Sequence, residues 1–384
     1  MLVAVIHSNA NYLIGLRLPI MKEMRSRGMQ VLALAPNMEE KHAIVLRKYG
    51  IESGSYALRP TGLNPLADLR NMFSLAALLR RCKPDIVLTN NVKPVIFGTF
   101  AATIAMVPAR FALVSGLGYA FTDDGMRANR KKKVVRWITS RLYAAAFRLN
   151  RAVVLQNPDD VAELEAARVL AHGRGRLVAG SGIDTSEFAY ADRTGEQPVF
   201  VMVARLLLEK GVRNYLEAAR MVKAKFPHAR FLLVGDTDSN PSALSPEEIN
   251  GYVEDGTVQW LGHVDDVRPW LYQASIFVLP SYREGLPRSA LEAMSTGLAL
   301  VMTNVPGCKE TVQEGLNGLL VPVRDSAALA NAMGELAGDM NRVHAMGRHS
   351  RAMAETIFEV SKVNDMMCGI MGLPRAMAAQ GGFQ

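Results

Sequence analysis

Ser281-Tyr-Arg-Glu-Gly-Leu-Pro-Arg-Ser-Ala-Leu-Glu292 holds two glutamates eight residues apart, with a Gly-Leu-Pro elbow between them. Ile276-Phe-Val-Leu-Pro280, just before it, reads as a short buried strand. Pro287 suits the first position of a helix, where its missing N–H would have no partner in any case. The amides of Gly285, Leu286, Arg288 and Ser289 then belong to the positive end of a helix, a seat for a phosphate or a polarised hydroxyl. Glu284 sits on the strand-to-helix loop and Glu292 about two turns further on, so the two acids can meet different parts of one long ligand.

The same alternation runs outward in both directions. Strand-like runs occur at Val3–Ile6, Val31–Leu34, Asp85–Leu88, Phe111–Val114 and Ala152–Leu155, with helical stretches near 12–27, 38–49, 65–82, 94–106, 127–149 and 158–170. The second half repeats the scheme with Val199–Val203, Phe231–Val234, Ile276–Leu279 and Leu298–Met302, and with helices near 211–225, 266–273, 287–296, 308–314 and 326–337. Short continuous apolar strands between helices indicate parallel sheets covered on both faces. The expected class is α/β, with two doubly wound Rossmann-like domains facing a central cleft at the carboxyl ends of their strands. Turn-rich residues 176–197 mark the join: residues 1–180 form the first domain, 181–360 the second, and 361–384 a terminal segment returning towards the first.

Arg205 and Lys210 stand on the loop after strand 199–203, where two cations can reach one anion and neutralise charge on a departing diphosphate. On composition alone both are equally well read as solvated loop residues. Arg205-x4-Lys210-Gly211, Phe231-Leu-Leu-Val-Gly-Asp236, Leu261-Gly-His263, Pro280-Ser-x2-Glu-Gly-Leu-Pro287, Leu291-Glu-Ala-Met294 and Pro306-Gly-x2-Glu310 follow one another in this order. In this the chain resembles the family-4 retaining glycosyltransferases of the GT-B fold. Arg17-Leu-Pro19, Asn64-Pro65, Lys93-Pro94, Gly116-Leu-Gly-Tyr119 and Asn157-x-Asp-Asp160 resemble the subgroup that assembles capsule, O-antigen and lipid-linked glycans.

The resemblance implies roles. Arg205 and Lys210 would hold the donor diphosphate, Glu292 the ribose, and Glu284, with the amides of Gly285 and Leu286, the donor sugar and phosphate. The base would lie beside Gly262 and His263, with Gly235 at a neighbouring strand end. Glu310 either touches the sugar or caps the helix after Gly307. On the acceptor side stand Lys93, Ser115, Gly116, Gly118 and Tyr119. The reaction implied is transfer of a hexose or N-acetylhexosamine from a UDP-sugar to a polyprenyl-diphosphate-linked saccharide, with retention and no cofactor. Asp236-Thr-Asp238 has the spacing of a divalent-metal pair, but metal-independent chemistry is expected. The family's histidine near the fourth strand is absent from Leu88-Thr-Asn-Asn-Val-Lys-Pro94, so no general base is named. Two other readings are a nucleotide-sugar epimerase of the same architecture and a non-catalytic membrane scaffold.

The net charge of +8 hides a division: residues 1–180 carry 26 Lys and Arg against 12 Asp and Glu, the remainder 18 against 24. Such an excess suggests a polyanionic partner. Arg130, Lys131, Lys132, Lys133, Arg136 and Trp137 open a basic amphipathic helix whose apolar stripe is Val134, Ile138, Leu142 and Ala145. An anionic membrane surface is the expected partner. Nucleic acid is not expected, since no reading helix, zinc finger or RNA-binding signature accompanies the charge. The longest apolar run, Val95 to Val107, has 13 residues, too few to span a bilayer. Three scattered cysteines, and a first strand starting at the N-terminus without a leader-like segment, suit a reducing compartment. The expected location is cytoplasmic, peripheral on the inner membrane's cytoplasmic face.

Overall fold

The computed structural model describes residues 1–58, 65–118, 121, 130–237, 240 and 242–374, with backbone alone at 65 and 130–132. Tyr119, Asp238, Asn64, Asp123, Asp124 and Arg127, and the side chains of Arg130, Lys131 and Lys132, therefore lie outside the described residues. Two compact units result, one formed by residues up to Ser181 together with those from Ser361, the other by Gly182–Val360.

The first unit is a seven-stranded sheet. Its strands are β1 (Leu2–Ile6), β2 (Gln30–Ala35), β3 (Glu52–Ser55), β4 (Ile86–Asn90), β5 (Ala109–Val114), β6 (Ala152–Leu155) and β7 (Gly175–Leu177). They run in the order β3-β2-β1-β4-β5-β6-β7, every pair parallel. The order reverses between β1 and β4, with Val3 opposite both Val31 and Ile86. Helices α1 (Ala10–Ser26), α2 (Glu40–Arg47), α3 (Pro65–Cys82), α4 (Thr99–Ile104), α5 (Arg130–Leu149) and α6 (Pro158–Ala166) make the crossovers, and a π-helical turn at Pro94–Gly98 leads into α4. Leu13, Met21 and Met24 of α1 cover one face. Leu75 and Leu79 of α3, Ala101 and Ala102 of α4, and Tyr143 and Phe147 of α5 cover the other. α1 starts where Asn9 takes the Tyr12 N–H at 3.1 Å, and α6 where Asn157 takes that of Asp160 at 2.7 Å; both satisfy an orphan donor of the first turn.

The second unit has six parallel strands, β8 (Val199–Val203), β9 (Arg230–Val234), β10 (Gln259–Trp260), β11 (Ile276–Leu279), β12 (Ala299–Thr303) and β13 (Gly318–Val321). Their order is β10-β9-β8-β11-β12-β13. α7 (Val212–Lys225), α8 (Pro246–Glu254), α9 (Arg268–Gln273), α10 (Arg288–Thr296), α11 (Ser326–Ala337) and α12 (Met340–Thr356) surround it. Phe200 and Phe231 stack on neighbouring strands with centroids 4.9 Å apart. From α13 (Val360–Ile370) the chain rejoins the first unit, where Met367, Cys368 and Met371 enter the α1 core and Asp365 pairs with buried Arg27. The helix expected near 308–314 is a single 3-10 turn at Lys309–Thr311.

Candidate active site

The site in the second unit is built where three strands end. β8 runs into the loop 204–211 and β11 into the loop 280–287. Gly211 binds these loops together: its φ is +73°, and a Cβ there would stand 2.0 Å from the Pro280 carbonyl oxygen. Only glycine fits so close an approach in this conformation. The Tyr282 N–H donates to the Glu209 carbonyl at 2.8 Å, closing the seam. Across it, Lys210 Nζ stands 2.5 Å from Glu284 Oε1, and the buried Ser281 hydroxyl donates to the same oxygen at 2.8 Å. Glu284 is fixed from behind by the loop after β12, since its N–H donates to the Pro306 carbonyl at 3.0 Å. Gly307, at φ +85°, lets that loop approach; a Cβ would fall 2.5 Å from the Glu284 carbonyl. Both bonds fall on one carboxylate oxygen, and Oε2 accepts from no group among the described residues.

Pro287 is the residue before α10, with extended backbone, and not its first helical residue; α10 begins at Arg288. The shift is one position and leaves the amides of Arg288 and Ser289 in the first turn, where no helical carbonyl can take them. Glu292 lies on the second turn and accepts from Arg288 Nε at 2.9 Å. Burial pushes its carboxyl above the usual range, and Arg288 pulls against that rise. Gly285 is buried and Leu286 half-buried in the elbow. Arg205 is exposed at the mouth of its loop.

At the neighbouring strand ends, Gly235 (φ +142°) donates its N–H to the Gly262 carbonyl at 2.9 Å, and Trp260 Nε1 donates to the Gly235 carbonyl at 2.9 Å. His263 is 74% exposed beside Asp265. Glu310 accepts the Gly307 N–H at 2.7 Å, which is a capping bond. Asp236 takes the Thr237 N–H at 2.8 Å in a turn. Among the described residues no three His, Cys, Asp or Glu side chains are grouped to hold a metal.

In the first unit, Lys93 and Ser115 each hold a partner. Lys93 Nζ lies 3.0 Å from a carboxylate oxygen of buried Asp68, so its charge is already matched. Ser115 accepts from buried Arg17 at 2.7 Å. Gly116 and Gly118 follow with φ of +141° and +81°.

Sequence reasoning missed a polar cluster here, at the reversal between β1 and β4. His7 follows β1 and is 1% exposed; its Nδ1 accepts the Asn9 N–H at 3.1 Å, and its Nε2 is 3.4 Å from the Asn91 side-chain nitrogen. Asn91 also reaches Ser8 at 2.9 Å and adopts φ +71°. Desolvation, reinforced by Arg17, lowers the His7 pKa to about 3. A neutral ring that accepts at Nδ1 carries its proton on Nε2; the Asn91 atom beside it is the amide nitrogen, itself a donor to Ser8, so the 3.4 Å approach is a close contact and not a hydrogen bond from His7. The available signal was two asparagines closing a buried apolar strand at the switch point, where ligands gather in open α/β sheets.

The basic helix α5 carries a second apolar arc that periodicity did not single out. Its core side is Tyr143, Ala146 and Phe147. The stripe assigned from periodicity faces outward at Val134 (56% exposed) and Ile138 (39%), beside Trp137 (62%). Lys133 is exposed, and Arg136 pairs with Glu163 at 2.8 Å. Periodicity finds an apolar arc but not which way it points, and α5 has two.

Residues 3–157 match the family described as glycosyl transferase 4-like, and residues 197–339 that described as glycosyl transferases group 1. The N,N'-diacetylbacillosaminyl-diphospho-undecaprenol alpha-1,3-N-acetylgalactosaminyltransferase of Campylobacter jejuni is 32% identical over 336 residues, covering 84% of this chain and 86% of the relative. The chain belongs to the family-4 retaining glycosyltransferases. An Escherichia coli relative, UDP-Gal:alpha-D-GlcNAc-diphosphoundecaprenol alpha-1,3-galactosyltransferase, is 27% identical to this glycosyltransferase, covering 84% of it and 86% of the relative. Its GT-B fold is shared with sucrose-phosphate synthase from Thermosynechococcus elongatus (TM-score 0.78, 19% identity, 96% and 98% of the two chains covered). The Anabaena HepE–UDP complex shares it too (TM-score 0.74, 17% identity, 97% and 100% covered).

Proposed function

We propose that this glycosyltransferase moves a hexose or N-acetylhexosamine from a UDP-sugar to a polyprenyl-diphosphate-linked saccharide, without a metal. The observation that carries this reading is the Lys210–Glu284–Ser281 junction beside the first turn of α10. Lys210 and Arg205 take the diphosphate, with the amides of Arg288 and Ser289 adding the helix's positive end. Glu292, whose carboxyl burial pushes above its ordinary range, meets the ribose hydroxyls. Glu284 Oε2 meets the sugar. The bond between the anomeric carbon and the phosphate oxygen breaks, the acceptor oxygen bonds to that carbon on the same face, and the acceptor proton passes to the departing phosphate oxygen. Fixed cations and amides stabilise the charge that grows there.

The lipid-linked acceptor is supported by the undecaprenol-bearing names of the relatives, and a UDP donor by the galactosyltransferase's name and by HepE's complex. Among the described residues no helix is long and apolar enough to cross a membrane. Membrane attachment is peripheral in this reading, through Lys133, Arg136 and Trp137 with Arg130, Lys131 and Lys132, on the cytoplasmic face of the inner membrane.

Purified enzyme is incubated with UDP-sugars and an undecaprenyl-diphosphate saccharide in detergent, with and without EDTA. The expected outcome is a lipid product extended by one sugar, unaffected by chelation. Donor conversion without acceptor would favour an epimerase. Activity abolished by EDTA and restored by manganese would overturn the metal-independent mechanism.

A further inference from the structure

α3 carries two apolar faces. Its inner one, Met72, Leu75, Ala76 and Leu79, packs on the sheet. Its outer one is a ridge of Leu66, Leu69 and Phe73, exposed at 81%, 46% and 54%. Residues three and seven apart share one side of a helix, so these three form a continuous strip. Single exposed leucines are ordinary, but a run of large apolar side chains on one face is a mark of an interaction surface.

The ridge has a counterpart. α3 lies over β1 and β2, and α5 over β5 and β6, on the same side of the sheet with the Pro94–Ile104 segment between them. Each follows a strand, so both helices start at the carboxyl edge of the sheet. The ridges on α3 and α5 are separated by one intervening helix, roughly 20 Å at usual packing distances of about 8–10 Å per pair. The two helices Pro65–Cys82 and Arg130–Leu149 contain one acid, Asp68, which is buried and paired with Lys93. Arg70, Lys133, Arg136 and Arg141 are exposed on the two helices. Apolar ridges flanked by cations, on helices that expose no acid of their own, complement an anionic lipid interface, where the side chains enter the acyl boundary and the cations meet lipid phosphates.

We propose that Leu66, Leu69 and Phe73 of α3 form a second membrane foot, which inserts alongside Val134, Trp137 and Ile138 of α5 into an anionic lipid surface. This rests on the peripheral-membrane reading given above and extends it to a second element of the first unit. Two feet about 20 Å apart fix the orientation of the first unit on the bilayer, which one helix lying in the interface does not.

The test is partition of the intact protein onto vesicles of phosphatidylglycerol with phosphatidylcholine, against phosphatidylcholine alone. L69S/F73S is compared with wild type, with W137S and with L316S, a polar change at an exposed apolar residue of the second unit. The expected result is at least about a tenfold fall in partition onto anionic vesicles for L69S/F73S and for W137S, none for L316S, and unchanged circular dichroism. Transfer to acceptor dissolved in detergent should be unchanged in L69S/F73S, while transfer to acceptor embedded in vesicles falls. Partition of L69S/F73S within twofold of wild type would overturn the proposal. So would a wild-type dimer in light scattering that becomes monomeric in L69S/F73S, since a second copy would then cover the ridge. Wild type that binds vesicles but transfers nothing to lipid-linked acceptor would defeat the functional reading and leave the two feet standing.

Discussion

Glu284 is held from three directions, by the Lys210 ammonium, the Ser281 hydroxyl and, through its own N–H, the Pro306 carbonyl. Glu284 and Lys210 were legible in the sequence as a converging acid and base. Ser281 was not, because a serine three residues before a glutamate is unremarkable until the elbow folds it back. His7 was missed for a related reason: a lone histidine after a strand is usually only a turn residue. Its folded pKa of about 3 lies below the ordinary 6.5, so the unfolded chain binds the extra proton between those values. Stability from this group is therefore present above pH 6.5 and drains away as pH falls towards 3, at about 1.4 kcal/mol per unit. In H7N, whose amide oxygen can still accept from Asn9, the loss of unfolding free energy between pH 7 and pH 5 should shrink by about 2 kcal/mol in urea titrations. An identical pH dependence in H7N and wild type would show that His7 is not buried neutral.

Glycine placement decides how the elements of the second unit meet. Gly211 has both a left-handed backbone and the Pro280 carbonyl in its Cβ position, so G211A has to part the two loops. It should lose at least ~2 kcal/mol in chemical denaturation and weaken donor binding in calorimetry. Gly251, inside α8 with open space around it, provides the contrast: G251A should gain ~0.5–1 kcal/mol from helix propensity. Equal effects at the two sites would mean that the seam at Gly211 does not form. Strands with continuous apolar runs, such as β8 and β9, were readable at once. β3, Glu52-Ser-Gly-Ser55, was not, because an edge strand with no apolar residue carries no hydrophobic signal. α5 was found, but its outward arc was taken as its only one, since a period of 3.6 residues marks an apolar face without saying what covers it.

Across the whole molecule, the alternation of strand and helix made two Rossmann-like sheets readable, and each sheet reverses its order at the strand that opens it. The return of α13 to the first unit depends on contacts remote in sequence, such as Arg27 with Asp365, and periodicity cannot show them. The uneven charge acquires a location in the structure, because α3 and α5 expose Arg70, Lys133 and Arg141 while the one acid within them, Asp68, is buried. The proposed donor site, in contrast, is assembled within one unit from the ends of β8, β11 and β12, so its chemistry can be tested by single substitutions. The most direct measurement is sugar transfer by E284Q, set beside its UDP-sugar affinity and its circular dichroism. The account predicts a folded protein whose transfer rate falls by about 100-fold or more. A folded E284Q that transfers sugar within a few-fold of wild type would contradict it.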